Sequence, residues 1–158
     1  MCGRFFLDVK AGDIMEHYNA PPPDLFTARY NIAPTTPVLA LDQGGFDLYR
    51  WGLIPAWAKD LSMGNRMFNA RAETVAEKPS FRNAYKRRRC LVPASGFYEW
   101  RLENGRNNPI AATSITSFFQ LRESGSIGKT LTAMKFSPVR YSPPNRVARC
   151  RNCINVCR

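Results

Sequence analysis

Histidine is almost missing from this chain of 158 residues, where His17 is the single one. It follows an apolar helical stripe and precedes a proline loop, so it reads as a packing or surface residue and not as a catalyst. Long hydrophobic runs are missing too. No stretch approaches the roughly 20 apolar residues that a membrane-spanning helix needs, and Asp8, Lys10 and Asp13 arrive too early for a secretion signal. The expectation is a soluble, unsecreted protein with no membrane partner. A disulfide framework is also lacking. The five cysteines, at positions 2, 90, 150, 153 and 157, are odd in number and unevenly spread, which suits a reducing compartment.

Acidic side chains run short in one region only. The net charge is +11, but residues 1–103 carry 14 basic and 11 acidic groups while residues 104–158 carry 9 basic groups and one acid, Glu123. Bulk positive charge implies attraction to polyanions and selects no particular function. The length suits one domain with a real core.

Residues 2–7 read as a short apolar strand and 12–19 as a short helix, with Ile14, Met15 and Tyr18 on its apolar side. Pro21-Pro22-Pro23 forces an extended link. Residues 38–41 and 46–51 are strand-like runs joined across Gln43-Gly44-Gly45, a hairpin signal. A helix is expected over 80–88 after Pro79, then strands over 89–93 and 96–102. The last ends at Asn104-Gly105, the strongest hairpin turn in the chain. The return strand after it looks poor, because Asn107-Asn108-Pro109 interrupts it and 110–121 has no sustained period. No internal repeat is visible. Strands with short helices and proline-rich connections predict an α+β or barrel-like domain with an antiparallel sheet.

Cys2 is the most distinctive residue. If Met1 is removed, Cys2 offers a free amine with pKa ~8 beside a thiol with pKa ~8.5, a pair no internal cysteine supplies. The amine can condense with an aldehyde and the thiolate can then close a five-membered thiazolidine. That chemistry suits covalent aldehyde capture or an N-terminal nucleophile. The bland alternative is that position 2 merely happens to be cysteine.

Four further clusters could carry chemistry. Residues 29–34, Arg-Tyr-Asn-Ile-Ala-Pro, combine a cation, an aromatic and an amide at a turn. Residues 51–57 form a bend with Trp51 and Trp57, able to stack on unpaired bases. Asn69 and Arg71 stand two apart, on one face of an extended backbone. Glu99 sits in an aromatic run, and a carboxylate in apolar surroundings tends towards a raised pKa and general-acid work. Each has a plain alternative: tryptophans as core, Asn69 as a turn cap, Glu99 as an ion-pair partner of Arg71. Lys86-Arg87-Arg88-Arg89 is usually a solvated face, with phosphate contact as its functional reading. Cys150, Cys153 and Cys157 invite a metal, but they lack a fourth ligand and no metal is expected.

Taken together, Cys-Gly-Arg-Phe at 2–5, Arg-Tyr-Asn-Ile-Ala-Pro at 29–34, Trp-Gly-Leu-Ile-Pro-Ala-Trp at 51–57, Asn-Ala-Arg-Ala-Glu-Thr at 69–74 and the stretch Cys90–Trp100 resemble the SOS response-associated peptidase (SRAP) family of abasic-site processing proteins. The resemblance covers residues 2 to about 103. It implies an α+β fold with a curved antiparallel sheet or barrel and short helices. It implies a partner, single-stranded DNA carrying an abasic site whose ring-opened sugar is an aldehyde. Cys2 would form the thiazolidine cross-link, Asn69 would orient the amine, and Glu99 would move protons during ring opening and imine closure. Arg4 and Arg71 would hold flanking phosphates, while Asn31, Pro34 and Trp57 would line the nucleotide cleft. No metal or organic cofactor is implied. The expected protein is a monomer, cytoplasmic and nucleoid-associated in a bacterium or nuclear in a eukaryote. Residual lyase or autopeptidase chemistry belongs to the same reading.

The second half departs from the family. A His-x-Arg-Met-Pro-like segment that assists catalysis and cross-link reversal has no counterpart, since no histidine follows His17. Residues 104–158 read as an unmatched basic tail, rich in serine, arginine and proline, either disordered or with its own binding role. A shifted reading frame would produce this abrupt change. Two other functions compete: a non-catalytic remnant that binds single strands through Arg4, Arg71, Trp57 and the basic tail, and an N-terminal-cysteine amide hydrolase acting on small molecules.

Overall fold

A computed structural model describes residues 3–71, 73–125 and 128–134. Cys2, Cys150, Cys153 and Cys157 lie outside the described residues, as does the stretch 135–158. Chain order gives strand β1 (Phe5–Leu7), helix α1 (Ala11–Tyr18), strands β2 (Arg29–Ile32), β3 (Pro37–Asp42) and β4 (Gly45–Trp51), and a 3-10 helix (Leu61–Asn65). Strand β5 (Asn69–Ala70), helix α2 (Arg82–Arg87) and strands β6 (Arg89–Glu103), β7 (Arg106–Gly125) and β8 (Gly128–Met134) follow.

All three residues of β1 are buried, as a strand flanked by neighbours on both edges and covered on both faces should be. It pairs antiparallel with β2 on one side and with β6 on the other. Helix α1 buries Ile14 and is opened by the Asp13 carboxylate, which accepts from the Lys10 amide at 2.9 Å. It closes on Asn19 in the left-handed conformation. The expected hairpin joins β3 to β4, where Asp42 pairs with Gly45 at φ 104°.

Two expectations change. The strands foreseen over 89–93 and 96–102 are one strand of 15 residues, β6, with its irregularity between Ala94 and Gly96. That step lets β6 leave β3, which it meets at Leu91, and take up β1 at Gly96 and Phe97. The return strand judged poor is instead a strand, β7, whose partners run from Arg106 opposite Glu103 to Leu121 opposite Arg89. Asn104 and Gly105 both have positive φ, 51° and 74°, so the turn fixes the register. Counting from that turn, Trp100 and Pro109 form a non-hydrogen-bonded pair, so the proline's missing N–H falls on the outer edge, where it costs little.

The pairings β6–β3, β3–β4, β4–β8, β8–β7 and β7–β6 close on themselves, so this largely antiparallel sheet curls into a barrel-like body. Strand β8 runs parallel to β4 and β5. The main core gathers Phe5, Leu7, Ile14, Ile32, Val38, Leu39, Tyr49, Trp51, Cys90 and Val92. A smaller one gathers Leu53, Ala70, Val75, Phe81 and Ala84 under α2. No helix among the described residues is long and apolar enough to cross a membrane.

Candidate functional site

Strand alternation sorts the candidate residues onto two faces. Phe5 pairs with Phe97 and Phe6 with Gly96, and the Tyr98 amide donates to the Arg4 carbonyl at 2.9 Å. Glu99 follows Tyr98 directly on β6, one residue past that bond. Phe5 turns inward, its ring 5.3 Å from that of Trp51. Glu99, two residues after Phe97 on β6, extends the Phe97 face of that strand beyond the core. Arg4 and Phe6 point the other way, where the Phe6 and Tyr98 rings lie 5.4 Å apart.

Trp51 links that inward face to Phe68, the residue before Asn69. Its indole N–H donates to the Phe68 carbonyl at 2.8 Å, and its ring meets Phe68 edge-on at 6.3 Å. Trp51 is 1% exposed, so the bond is shielded from water and fixes the residue before Asn69. Asn69 itself is half-buried at the start of β5, with Arg71 exposed just beyond its end. The Arg71 carbonyl caps a turn by accepting from the Thr74 amide at 3.2 Å.

On the opposite face, Arg4 Nη1 donates to Asn31 Oδ1 at 2.6 Å, joining two residues 27 apart in sequence. Pro34 is half-buried in the turn after β2, which ends on buried Ile32. Trp57 stands apart. It projects from the turn closed by the Ala58 amide on the Pro55 carbonyl at 2.9 Å, and it is 61% exposed.

Glu99 differs from its expectation. Its aromatic neighbours suggested an apolar enclosure, but the side chain is exposed. Alternation sends Tyr98 and Trp100 to the other face, and β6 leaves the core near this point. The tryptophan-core alternative holds for Trp51 and not for Trp57 or Trp100, the latter 44% exposed.

Supports not foreseen from the sequence hold this arrangement. The Tyr98 hydroxyl donates to the Tyr30 carbonyl at 2.8 Å, tying β6 to β2 across β1. Arg50 Nη2 donates to Asn65 Oδ1 at 2.9 Å, over the crossing of Gly52 and Gly64. A Cβ on Gly52, at φ 137°, would stand 2.3 Å from the Gly64 carbonyl oxygen, so this crossing admits only glycine. The 3-10 helix that follows Trp57 is capped by Asp60, whose carboxylate accepts from the Ser62 amide at 2.7 Å. Hydrogen bonds from the Ser62 side chain and amide hold the Asp60 carboxyl below its ordinary range. No group of three or more potential metal-ligating side chains gathers among the described residues.

A family model described as SOS response associated peptidase (SRAP) matches residues 1–125. The chain belongs to that family. The match runs through β7, past the limit near 103 drawn from the motifs alone. "Abasic site processing protein YoqW" of Bacillus subtilis is 45% identical over 108 residues, which are 64% of this chain and 48% of that protein. "Abasic site processing protein YoaM" of the same organism is 44% identical over 138 residues, 80% of this chain and 61% of that protein. The chain thus spans about half the length of these SRAP relatives. A solved structure from Bacteroides thetaiotaomicron superposes with TM-score 0.77 at 23% identity, covering 84% of this chain and 67% of that one, and so shares the fold.

Proposed function

We propose that this SRAP chain binds single-stranded DNA and captures abasic sites through Cys2. The observation that carries the reading is the pairing of β1 with β6, extended by the bond from the Tyr98 amide to the Arg4 carbonyl, which brings the residues after Cys2 alongside the stretch of β6 that leads to Glu99. With Met1 removed, the Cys2 amine attacks the C1′ aldehyde of the opened sugar and water leaves, giving an imine. The thiol then adds across the C=N bond, sulfur to carbon and proton to nitrogen, closing the thiazolidine. Asn69 orients the amine, and Glu99 carries protons between the sugar oxygen and the amine. Arg4, steadied by Asn31, and Arg71 contact flanking phosphates, while Pro34 and the exposed Trp57 meet the nucleotides.

The test is a denaturing gel of the protein with single-stranded DNA bearing one abasic site, beside Cys2→Ser. A shifted band that needs both Cys2 and the lesion supports the reading. Absence of a shift, with Met1 shown by mass to be gone, leaves at most a lesion-blind strand binder. Turnover of small amides without DNA and without an adduct would point to a hydrolase.

No residue from 18 to 158 is a histidine, so within this stretch nothing matches the group to which the family resemblance assigns cross-link reversal. The adduct should persist on dilution into fresh buffer, whereas release within minutes would show that another group does the work. A change of reading frame after codon 103 would account for the abrupt change in composition that follows. A coding sequence with no shifted frame restoring a His-x-Arg-Met-Pro-like segment would remove that explanation.

A further inference from the structure

Lys78, Arg82 and Lys86 form a cationic ridge that the proposed chemistry does not use. The amides of Phe81 and Arg82 both donate to the Lys78 carbonyl at 2.9 Å, Tyr85 donates to Phe81 at 2.8 Å, and Arg88 donates to Ala84 at 2.8 Å. The Lys78 carbonyl is thus tied to the first residue of α2. Lys78 stands on the bend before Pro79, and Arg82 and Lys86 lie at i and i+4 on one flank of α2, about 6 Å of rise apart. All three are exposed, while Phe81 and Ala84 are buried and Tyr85 half-buried on the adjoining side, packed in the smaller core.

Stability does not explain the ridge. Like charges at i, i+4 repel and weaken a helix as short as α2, which spans six residues. Residues 78–98 hold six cations, Lys78, Arg82, Lys86, Arg87, Arg88 and Arg89, and no acid. In sequence the nearest acids before this stretch are Glu77, beside Lys78, and Glu73. Among the described residues, none of the three ridge side chains has an ion-pair partner. Phe81 and Tyr85 lie between the three cations in sequence, but Phe81 is buried and Tyr85 half-buried in the smaller core, so what the ridge presents outward is mainly charge. That chemistry matches a phosphodiester backbone better than it matches bases. The ridge is rooted beside the candidate site, since Ala70, between Asn69 and Arg71, packs in the same small core as Phe81 and Ala84.

We propose that Lys78, Arg82 and Lys86 form a track for the flank of a single DNA strand, one cation to a phosphate, beyond the site at Asn69 and Arg71. The track rests on the reading that this chain binds single strands, but not on Cys2 chemistry. The test is equilibrium binding of undamaged thymidine oligomers over a salt series, comparing the unaltered chain with Lys78→Ala/Arg82→Ala/Lys86→Ala. One oligomer is short enough to fill only the site, the other long enough to reach α2. Losing three phosphate contacts should flatten the log–log salt slope for the long strand by about two units, at roughly 0.7 per phosphate on single strands, and leave the slope for the short strand in place. An unchanged slope for the long strand overturns the track. Equal loss on both strands, with tryptophan emission altered, also overturns it, because the cations would then be serving the fold. A charge-restoring set, Lys78→Arg and Lys86→Arg, should return the full slope. Cross-linking of an abasic strand by the unaltered chain is scored separately, so failure of the Cys2 reading is distinguishable from failure of the track.

Discussion

The two ends of β6 obey the same pleat and pair with the same partner, yet they live in different solvents. Between Arg89 and Phe97 the strand buries Cys90, Val92, Pro93, Ala94 and Gly96 against β3 and β1. From Glu99 through the turn to Ala111 every residue is exposed, including Trp100, Leu102 and Ile110. Hydrogen bonding continues to the tip, so it is burial that changes. A ladder with a good Asn-Gly turn can extend a strand beyond the core that stabilises it, and it thereby carries Glu99 into the open. The buried end anchors the fold, while the exposed end presents side chains.

The strongest way to break this contrast is Trp51→Ala. Trp51 packs on Phe5 and Phe68 and donates to the Phe68 carbonyl, so its loss should cost about 3–5 kcal/mol. Urea denaturation should show a much earlier midpoint, and the cross-linking proposed for Cys2 should fall with it. A variant with an unchanged midpoint would mean that the inward face is not organised around this ring.

The next comparison stays within β6. Val92→Ala, at a fully buried position, should cost about 1.5–3 kcal/mol, whereas Leu102→Ala, 69% exposed, should stay within about 0.5 kcal/mol. Equal effects in the same denaturation series would erase the distinction between the two ends. At the junction, Tyr98→Phe removes the hydroxyl that reaches Tyr30 and should cost about 0.5–1.5 kcal/mol. Its sharper readout is faster amide exchange at β2 than at β3. Uniform exchange would show that the bond does not tie the edge strand down.

What the sequence disclosed follows the same division. The run Phe5–Leu7, the β3–β4 hairpin and the Asn104-Gly105 turn were legible because local pattern and tertiary burial agree there. Strand β2 was not, since Arg29–Ile32 buries only Ile32 and offers no alternation to read. Strand β7 was hidden by Pro109, whose tolerance depends on which edge of the ladder its nitrogen faces, a matter of register. Glu99 misled for a related reason. Its aromatic neighbours in sequence are split between two faces by the pleat, so adjacency in the chain did not make an enclosure. The contact of Arg4 with Asn31 and the bridge from Trp51 to the residue before Asn69 exist only once distant strands meet. The sequence supplied those residues as types, and the sheet determined which of them touch.

The smallest effect expected concerns the loop that displays Trp57. Asp60 is held below its ordinary value of 3.8 by the Ser62 hydroxyl and amide, so its folded pKa lies under its unfolded one. The sign follows directly. The cap is fully present above the unfolded value and is lost as pH falls through the folded one. Acidification should therefore release the start of the 3-10 helix at a pH below 3.8, seen as a titrating shift of the Ser62 amide. Asp60→Asn should abolish that titration and leave the barrel's denaturation midpoint nearly unchanged, since the carboxylate is fully exposed. If the Ser62 amide instead followed global acid unfolding, the loop bearing Trp57 would be part of the cooperative core. The exposed and buried regions would then not be separable at this edge of the molecule.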